Sequence, residues 1–549
     1  MLPKADTLEA LNAGFRWDIP ERYNIGVDVC DRWSDTDPER LALLDISSDG
    51  MAREVTFGEL RVMSNRFANF LTSRVLRGDR VGVLLPQRVE TAVAHIAALK
   101  AGAVSLPLFK LFGPDALLHR LQDSRARVVV TDAEGADLLE ELRSQLPNLA
   151  VVLSVDGPPD DPDVQDFHAL CARQSDDFDP VDTRADDPAI LIYTSGTTGN
   201  PKGALLPHRV LLGHLPGVEM SHNFLPQDGD RIWTPADWAW IGGLLDVLMP
   251  GLHHGICVVA CRFEKFTAEA AFTLMRDRKV RNAFLPPTAL KMMRQHPDAA
   301  SFGLKLRSVA SGGETLGAEL LDWGVRVFGT PINEFYGQTE CNMIVSSCAA
   351  LAPPEPGVMG FPVPGHTVSI LNADTGERLG KGEEGAIGVL SPDPVMFMEY
   401  LGKPDATERK FVTGPEGRWL LTGDRGMEMP SGRLRFVARD DDIINSGGYR
   451  IGPGEVEDCL LTHEAVQMAG VVGAPDPLRG ENVCAFIVLN PGHTPDEALA
   501  DAIKAHVKTR LAAHEYPRDV VFVKTLPMTT TGKIIRKTLR EMAREGKAS

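Results

Sequence analysis

The sequence predicts an α/β protein: a large N-terminal domain of stacked, mostly parallel sheets with helices plus a β subdomain, and a small mobile α+β C-terminal domain. Three observations carry this expectation. Short apolar, β-rich runs alternate with helical patterns, which is how parallel sheets covered by helices read. At 549 residues the chain exceeds the size at which one hydrophobic core keeps growing, so two or more domains are expected. The composition also shifts near residue 357 and again near 439, which sets expected domains of 1–439 (β subdomain about 357–437) and 440–549.

In chain order, residues 80–85 read as a strand, 90–100 as a helix and 103–108 as a second strand. Residues 127–131 and 149–153 continue the strand series. Residues 155–187 are rich in Asp and Pro and poor in aliphatics, and read as an exposed connection into the apolar run Ala189-Ile190-Leu191-Ile192. From about 357 to 437, Gly and Pro punctuate short runs such as Ala386-Ile387-Gly388-Val389-Leu390, as in a compact β subdomain. Beyond it, Thr494-Pro495-Asp496-Glu497 reads as a capping box with Pro at the first helical position. Leu499, Ile503, Val507 and Leu511 then fall on one helix face. Residues 519–526 read as a strand, and a basic helix begins near Ile534. Lys533 thus falls on a turn between strand and helix, a suitable place for a residue that enters and leaves a site. No repeat of solenoid period is present.

The formal net charge of −18 disfavours nucleic acid and anionic membrane as partners, without excluding anionic ligands in a local cationic pocket. The eight cysteines form no C-x-x-C pair and no zinc pattern, which suits reduced, buried thiols in the cytoplasm. The start Met1-Leu2-Pro3-Lys4-Ala5-Asp6 lacks a signal-peptide pattern, and no segment reaches the length of a membrane span.

The segment Tyr193-Thr194-Ser195-Gly196-Thr197-Thr198-Gly199-Asn200-Pro201-Lys202-Gly203 follows an apolar run directly. A strand ending in such a loop offers backbone N–H groups, hydroxyls and one cation to a polyphosphate, and glycines allow close approach to an anion. The spacing is not that of a Walker A loop.

This string resembles the phosphate loop of the AMP-forming adenylating enzymes: acyl-CoA synthetases, luciferases and stand-alone adenylation domains. Further segments are similar in family order: Leu99-Lys100-Ala101-Gly102-Ala103, Glu334-Phe335-Tyr336-Gly337-Gln338-Thr339-Glu340, Thr422-Gly423-Asp424, 439–450, and Pro527-Met528-Thr529-Thr530-Thr531-Gly532-Lys533. The resemblance implies ATP, Mg²⁺ and coenzyme A as reactants and a carboxylic acid as substrate. It implies that Thr194, Ser195, Gly196, Thr197, Thr198, Gly199 and Lys202 hold the β and γ phosphates. Thr339 touches the α-phosphate and Glu340 holds the metal. Tyr336 stacks on adenine, with Glu334, Gly337, Gln338, Gly313, Glu314 and Thr315 around the nucleoside. Asp424 accepts both ribose hydroxyls, Arg439 adds a ribose or phosphate contact, and Lys533 reaches the bond being formed. Asp441 aligns with the hinge about which the small domain turns between half-reactions. Gly447, Gly448 and Arg450 border the thiol channel.

Trp238, Trp240, Ile241 and Gly242 resemble the acyl-pocket region of short- and medium-chain acyl-CoA synthetases, although the two tryptophans read equally as aromatic core. Acetate-specific relatives carry tryptophan at the position of Gly337. Its absence here implies an acid larger than acetate: short- or medium-chain, branched or aryl. Asp237 leaves open an amino-acid substrate, and hence loading of an amino or aryl acid onto a separate carrier protein. A non-catalytic nucleotide-binding protein is disfavoured by the presence of Lys202, Glu340, Asp424 and Lys533 together. Related enzymes are regulated by acetylation of the lysine matching Lys533, so a lysine acetyltransferase and deacylase are candidate partners.

Overall fold

The computed structural model describes all residues except 158–162, 195–200, 264, 441, 447–448, 477–478, 512–514, 530–531 and 547–549. Its contacts divide the chain into two units, Met1–Val368 with Val389–Phe411, and Ser369–Gly388 with Val412–Ser549.

The first unit holds two large sheets. In the eight-stranded sheet, Pro188–Thr194, Val104–Pro107, Arg80–Leu84, Val128–Thr131, Val151–Ser154 and Val164–Asp166 run parallel in that spatial order. Lys202–Pro207 and then Glu399–Tyr400 add antiparallel at the Pro188–Thr194 edge. The central strands are buried on both faces, which explains their near-continuous Val/Leu runs. The strands of this sheet read from the sequence are present within a residue or two, whereas the strand read at 519–526 ends at Phe522.

The segment 155–187 is not an exposed connection throughout. Val164–Asp166 closes one edge of the sheet, and Asp166 caps the helix Phe167–Cys171 by accepting from Ala169 N at 2.9 Å. Phe167 is buried with its ring centroid 5.0 Å from that of Phe67. Low aliphatic content hid a strand that makes its contacts through one edge only.

The nine-stranded sheet has a parallel centre: Ile332–Gln338, Ser308–Gly312, Asn282–Phe284, Arg231–Trp233, Cys257–Cys261 and Leu41–Ile46. Asn342–Ser346 and Ala52–Thr56 flank it antiparallel. Helices Val89–Lys100 and Val210–Ser221 are buried at every residue, as helices enclosed on all sides must be.

Strands Val368–Leu371, Glu384–Ser391, Gly417–Glu428 and Phe411–Gly414 form a further sheet, with Leu434–Arg439 paired to Gly417–Glu428. A second sheet of Tyr449–Ile451, Ile444–Ser446, Gly480–Leu489, Val466–Asp476 and Asp519–Phe522 packs with helices Pro453–Leu461, Glu497–Arg510 and Arg536–Glu545. Ile503 and Val507 are fully buried and Leu499 and Leu511 pack beside them, as the spacing predicts. The cap differs: Asp496, not Thr494, accepts from Leu499 N at 2.7 Å and the helix starts at Glu497. A carboxylate satisfies the orphan N–H at least as well as a hydroxyl and also meets the positive end of the helix dipole. No helix among the described residues is long and apolar enough to cross a membrane.

Candidate active site

The strand Pro188–Thr194 leaves the sheet at Thr194 and returns at Lys202, the two residues facing each other across the antiparallel pair. Thr194 Oγ1 donates to the Lys202 carbonyl at 3.4 Å. Both ends of the candidate phosphate loop are therefore fixed by main-chain pairing. Ser195, Gly196, Thr197, Thr198 and Gly199 lie outside the described residues.

In the nine-stranded sheet, Ile332–Gln338 turns through Thr339 and Glu340 into Asn342–Ser346, with Gln338 opposite Asn342. The Glu340 carboxylate is buried, at 6% exposure, and accepts a short hydrogen bond from Tyr400 Oη. Lys202 Nζ lies 5.2 Å from the Tyr400 ring centroid. One side chain, from a strand two residues long, thus joins the cation of the phosphate loop to the acidic residue of the other sheet. Lys410 Nζ donates to Gln338 Oε1 at 3.2 Å, and Thr339 is half-buried. Tyr400 and Lys410 carried no local sequence signal; only long-range pairing reveals them.

Beside this turn, Ser308–Gly312 ends with Gly312 opposite Phe335, and Gly313 follows at φ +107°. Glu334 is buried and accepts from Leu316 N at 3.0 Å, which pins the 313–316 segment to the strand. Glu314 pairs with Lys291 at 2.8 Å, and Thr315 is half-buried. Tyr336 is buried opposite Val345. These groups sit at the carboxyl ends of parallel strands, where α/β sheets bind ligands.

Trp240, Phe284 and Phe335 form an aromatic row, with ring centroids 5.9 Å and 5.3 Å apart in sequence. Gly242 lies against it: a Cβ there would stand 2.8 Å from the Trp240 ring and 2.9 Å from Phe284. Phe284 and Phe335 were not singled out from the sequence, since single aromatics in parallel strands look like ordinary core. Ile241 is buried beside Gly242, and Trp238 is fully enclosed at 0% exposure, its indole N–H without a partner among the described residues. Burial pushes the Asp237 carboxyl up to about 6, partly offset by the N–H of Ala239, 2.8 Å from Oδ1.

Gly337 requires a correction. A Cβ there would fall 1.5 Å from the Asn342 carbonyl oxygen and 2.9 Å from Met343 Cα. The missing side chain accommodates the main chain of the return strand, so Gly337→Trp does not simply shorten an acid pocket. It is expected to displace the hairpin that carries Thr339 and Glu340. Activity with C2 to C8 acids should then fall together, and kcat/KM across that series measures this.

In the second unit, Asp424 and Arg439 face each other across paired strands, with Arg439 Nε 3.8 Å from Asp424 Oδ1. Gly423 precedes Asp424 at φ +81°, and the Asp424 N–H reaches Thr422 Oγ1 at 3.2 Å. Asp441, Gly447 and Gly448 lie outside the described residues, as does the side chain of Arg450, whose main chain pairs with Asn445. Lys533 is exposed on a turn closed by Thr529 N to Lys533 O at 2.7 Å and Lys533 N to Thr529 Oγ1 at 2.9 Å. The helix that follows is anchored by partly buried ion pairs: Arg536 to Glu457 at 2.6 Å and Arg540 to Asp442 at 2.7 Å.

Among the described residues no group of three or more His, Cys, Asp or Glu could hold a metal ion, and the eight cysteines are buried and form no disulfide. Glu340 nevertheless suits Mg²⁺, which takes one or two carboxylates with phosphate oxygens and water. Its carboxylate is a buried hard oxygen donor already oriented by a phenol.

The AMP-binding enzyme family matches residues 30–401, and the AMP-binding enzyme C-terminal domain matches 455–533. The chain is 33% identical to the mitochondrial acyl-coenzyme A synthetase ACSM3 of Mus musculus, over 97% of this chain and 93% of the relative. It is 34% identical to the mitochondrial ACSM4 of Rattus norvegicus, over 98% and 93%. Among solved structures, an acyl-CoA synthetase of Brucella canis is 33% identical at a TM-score of 0.74, covering 99% of this chain and 100% of that one. The anthranilate CoA ligase AuaEII, in complex with anthranoyl-AMP, is 28% identical at 0.86, over 97% and 99%.

Proposed function

The chain belongs to the AMP-binding enzyme family, and from that premise we propose which residues act and which acid they act on. The reaction class is that of an AMP-forming acid–CoA ligase: ATP and a carboxylic acid give acyl-AMP and pyrophosphate, and CoA then takes the acyl group. ATP, Mg²⁺ and CoA are the reactants this chemistry requires.

The observation carrying the residue assignment is the contact of Lys202 with Tyr400 and of Tyr400 with Glu340, which unites the two motifs that a triphosphate would span. A carboxylate is a poor acyl donor because oxide is a poor leaving group. Negative charge gathers at the α-phosphate as it is attacked, so positioning and electrostatic stabilisation dominate. Thr194, the 195–199 loop and Lys202 hold the β and γ phosphates. Thr339 meets the α-phosphate and Glu340 holds Mg²⁺. Tyr336, Glu334, Gly337, Gln338 and 313–315 border the nucleoside, while Asp424 and Arg439 take the ribose. Lys533 supplies the second cation. The unit boundary relevant to catalysis is 439/440, with 440–549 turning about Asp441 and the acyl pocket lined by Trp240, Ile241 and Gly242.

The row of Trp240, Phe284 and Phe335 beside Gly242 favours an acid larger than acetate, with a branched, medium-chain or aryl group. Pyrophosphate release over C2 to C12, branched and aryl acids, with and without CoA, tests this. Release without acid dependence, or cleavage of ATP to ADP, would overturn it. Transfer to a phosphopantetheinylated carrier but not to CoA would favour carrier loading instead.

The Gly447–Gly448 pair borders the thiol channel, where a missing Cβ leaves room for a narrow arm. Gly448→Leu is expected to spare acyl-AMP formation and block thioester formation; equal loss of both half-reactions argues against it. Eight buried thiols without a disulfide fit a reducing compartment such as the cytoplasm. Exposure of Lys533 makes it accessible to an acetyltransferase and a deacylase, which would remove and restore the charge.

A further inference from the structure

The segment 397–401 is held at both ends of the candidate triphosphate site. Glu399 and Tyr400 pair with Leu205 and Ala204, on the strand that begins at Lys202. Met398 N donates to Leu205 O and Leu401 N to Gly203 O, both at 2.8 Å. Phe397 N donates to the Glu340 carbonyl at 2.9 Å, so the main chain of the segment also fixes Glu340. Tyr400 N is bonded to Thr407 Oγ1 at 2.9 Å, and its ring packs on Phe397 with centroids 5.0 Å apart. With these restraints the ring, at 4% exposure, has little freedom, and its hydroxyl ends on the Glu340 carboxylate.

This arrangement has two electrostatic consequences. The phenol fixes one carboxylate oxygen, leaving the group oriented before any ligand arrives. The Lys202 ammonium meets the π face of the same ring.

We propose that Tyr400 is a positioning residue that holds Glu340 ready for a divalent cation. The inference rests on the assignment of Glu340 as metal ligand, and deepens it. Partners that orient a ligating carboxylate commonly alter metal affinity by about 10–100-fold when removed.

The test uses the full-length protein with Mn²⁺ as probe, followed by electron paramagnetic resonance in the presence of α,β-methylene-ATP. Tyr400→Phe keeps the ring and removes only the hydroxyl. It is expected to weaken Mn²⁺ uptake about tenfold or more. Binding of the same analogue in EDTA should be unchanged, a separation that a purely structural role of the hydroxyl would not produce. Glu340→Gln should abolish Mn²⁺ uptake. If Glu340→Gln abolishes uptake and Tyr400→Phe binds Mn²⁺ like the parent protein, the proposal is overturned. Equal weakening of analogue binding with and without metal also overturns it. If Glu340→Gln leaves uptake intact, the metal assignment fails first and the proposal with it.

Discussion

Replacing Lys533 with alanine is expected to slow acyl-AMP formation by about 10²–10³, while transfer from preformed acyl-AMP to CoA stays near the parent rate. Gly532 at φ +80° and the two bonds between Thr529 and Lys533 fix the main chain. Ile535 N donates to Pro527 O at 2.9 Å, and Met528 bridges Ile534, which closes the loop base. Arg536 and Arg540 then hold the next helix to Glu457 and Asp442. The lysine is therefore an exposed cation on a well-tied support. In the proposed cycle it meets the bond between acid and α-phosphate only while adenylate forms. A unit charge pair at about 4 Å and an effective dielectric near 20 is worth roughly 4 kcal/mol before desolvation. That is the scale of the expected loss. Lys533→Arg should recover part of it, since charge returns without the compact geometry of an ammonium. Pyrophosphate release measures the first half-reaction, and thioester formation from synthetic acyl-AMP measures the second. Equal slowing of both would remove Lys533 from its step-specific role.

Much of the fold is legible because its cause is local. The runs at 80–84, 104–107 and 128–131 are apolar on both faces, and only central parallel strands demand that. The phosphate-loop ends are legible for the same reason: a strand, a Gly/Ser/Thr stretch and a lysine lie contiguous in sequence. Tyr400 is not legible. Its strand has two residues, its partner lies near Lys202, and its hydroxyl finds Glu340 in another sheet. Phe284 and Phe335 are hidden likewise, since their significance lies in the row they make with Trp240. Gly337 shows the opposite failure. The absence of a side chain was read as open space, whereas the space is filled by the Asn342 carbonyl. Val164–Asp166 escaped because strand propensity describes half-buried pleated surface, and that strand is short and polar.

Lys100→Met is expected to cost about 3–5 kcal/mol of stability, through an ion pair that the motif at 99–103 does not disclose. Lys100 ends the helix Val89–Lys100, where a cation suits the helix dipole, yet its side chain is 0% exposed. Its ammonium bonds the Asp31 carboxylate, with Ser64 Oγ and Asn65 Oδ1 each at 2.9 Å. Three helical elements meet at this one group: Val27–Asp31, Phe57–Thr72 and Val89–Lys100. The close approach has its own signature, since a Cβ on Gly26 would stand 2.7 Å from the Ile96 carbonyl. Methionine fills similar volume, so the penalty comes chiefly from Asp31, left enclosed beside the Cys30 thiol with Arg61 Nε at 3.9 Å. A lowered urea midpoint at unchanged m-value would measure the loss. The double variant Asp31→Leu with Lys100→Met should restore most of it, because removing both charges of a buried pair is far less costly than removing one. Should the double variant prove as unstable as the single one, hydrogen bonds to Ser64 and Asn65, and not the Asp31 charge, would be the dominant contribution of Lys100.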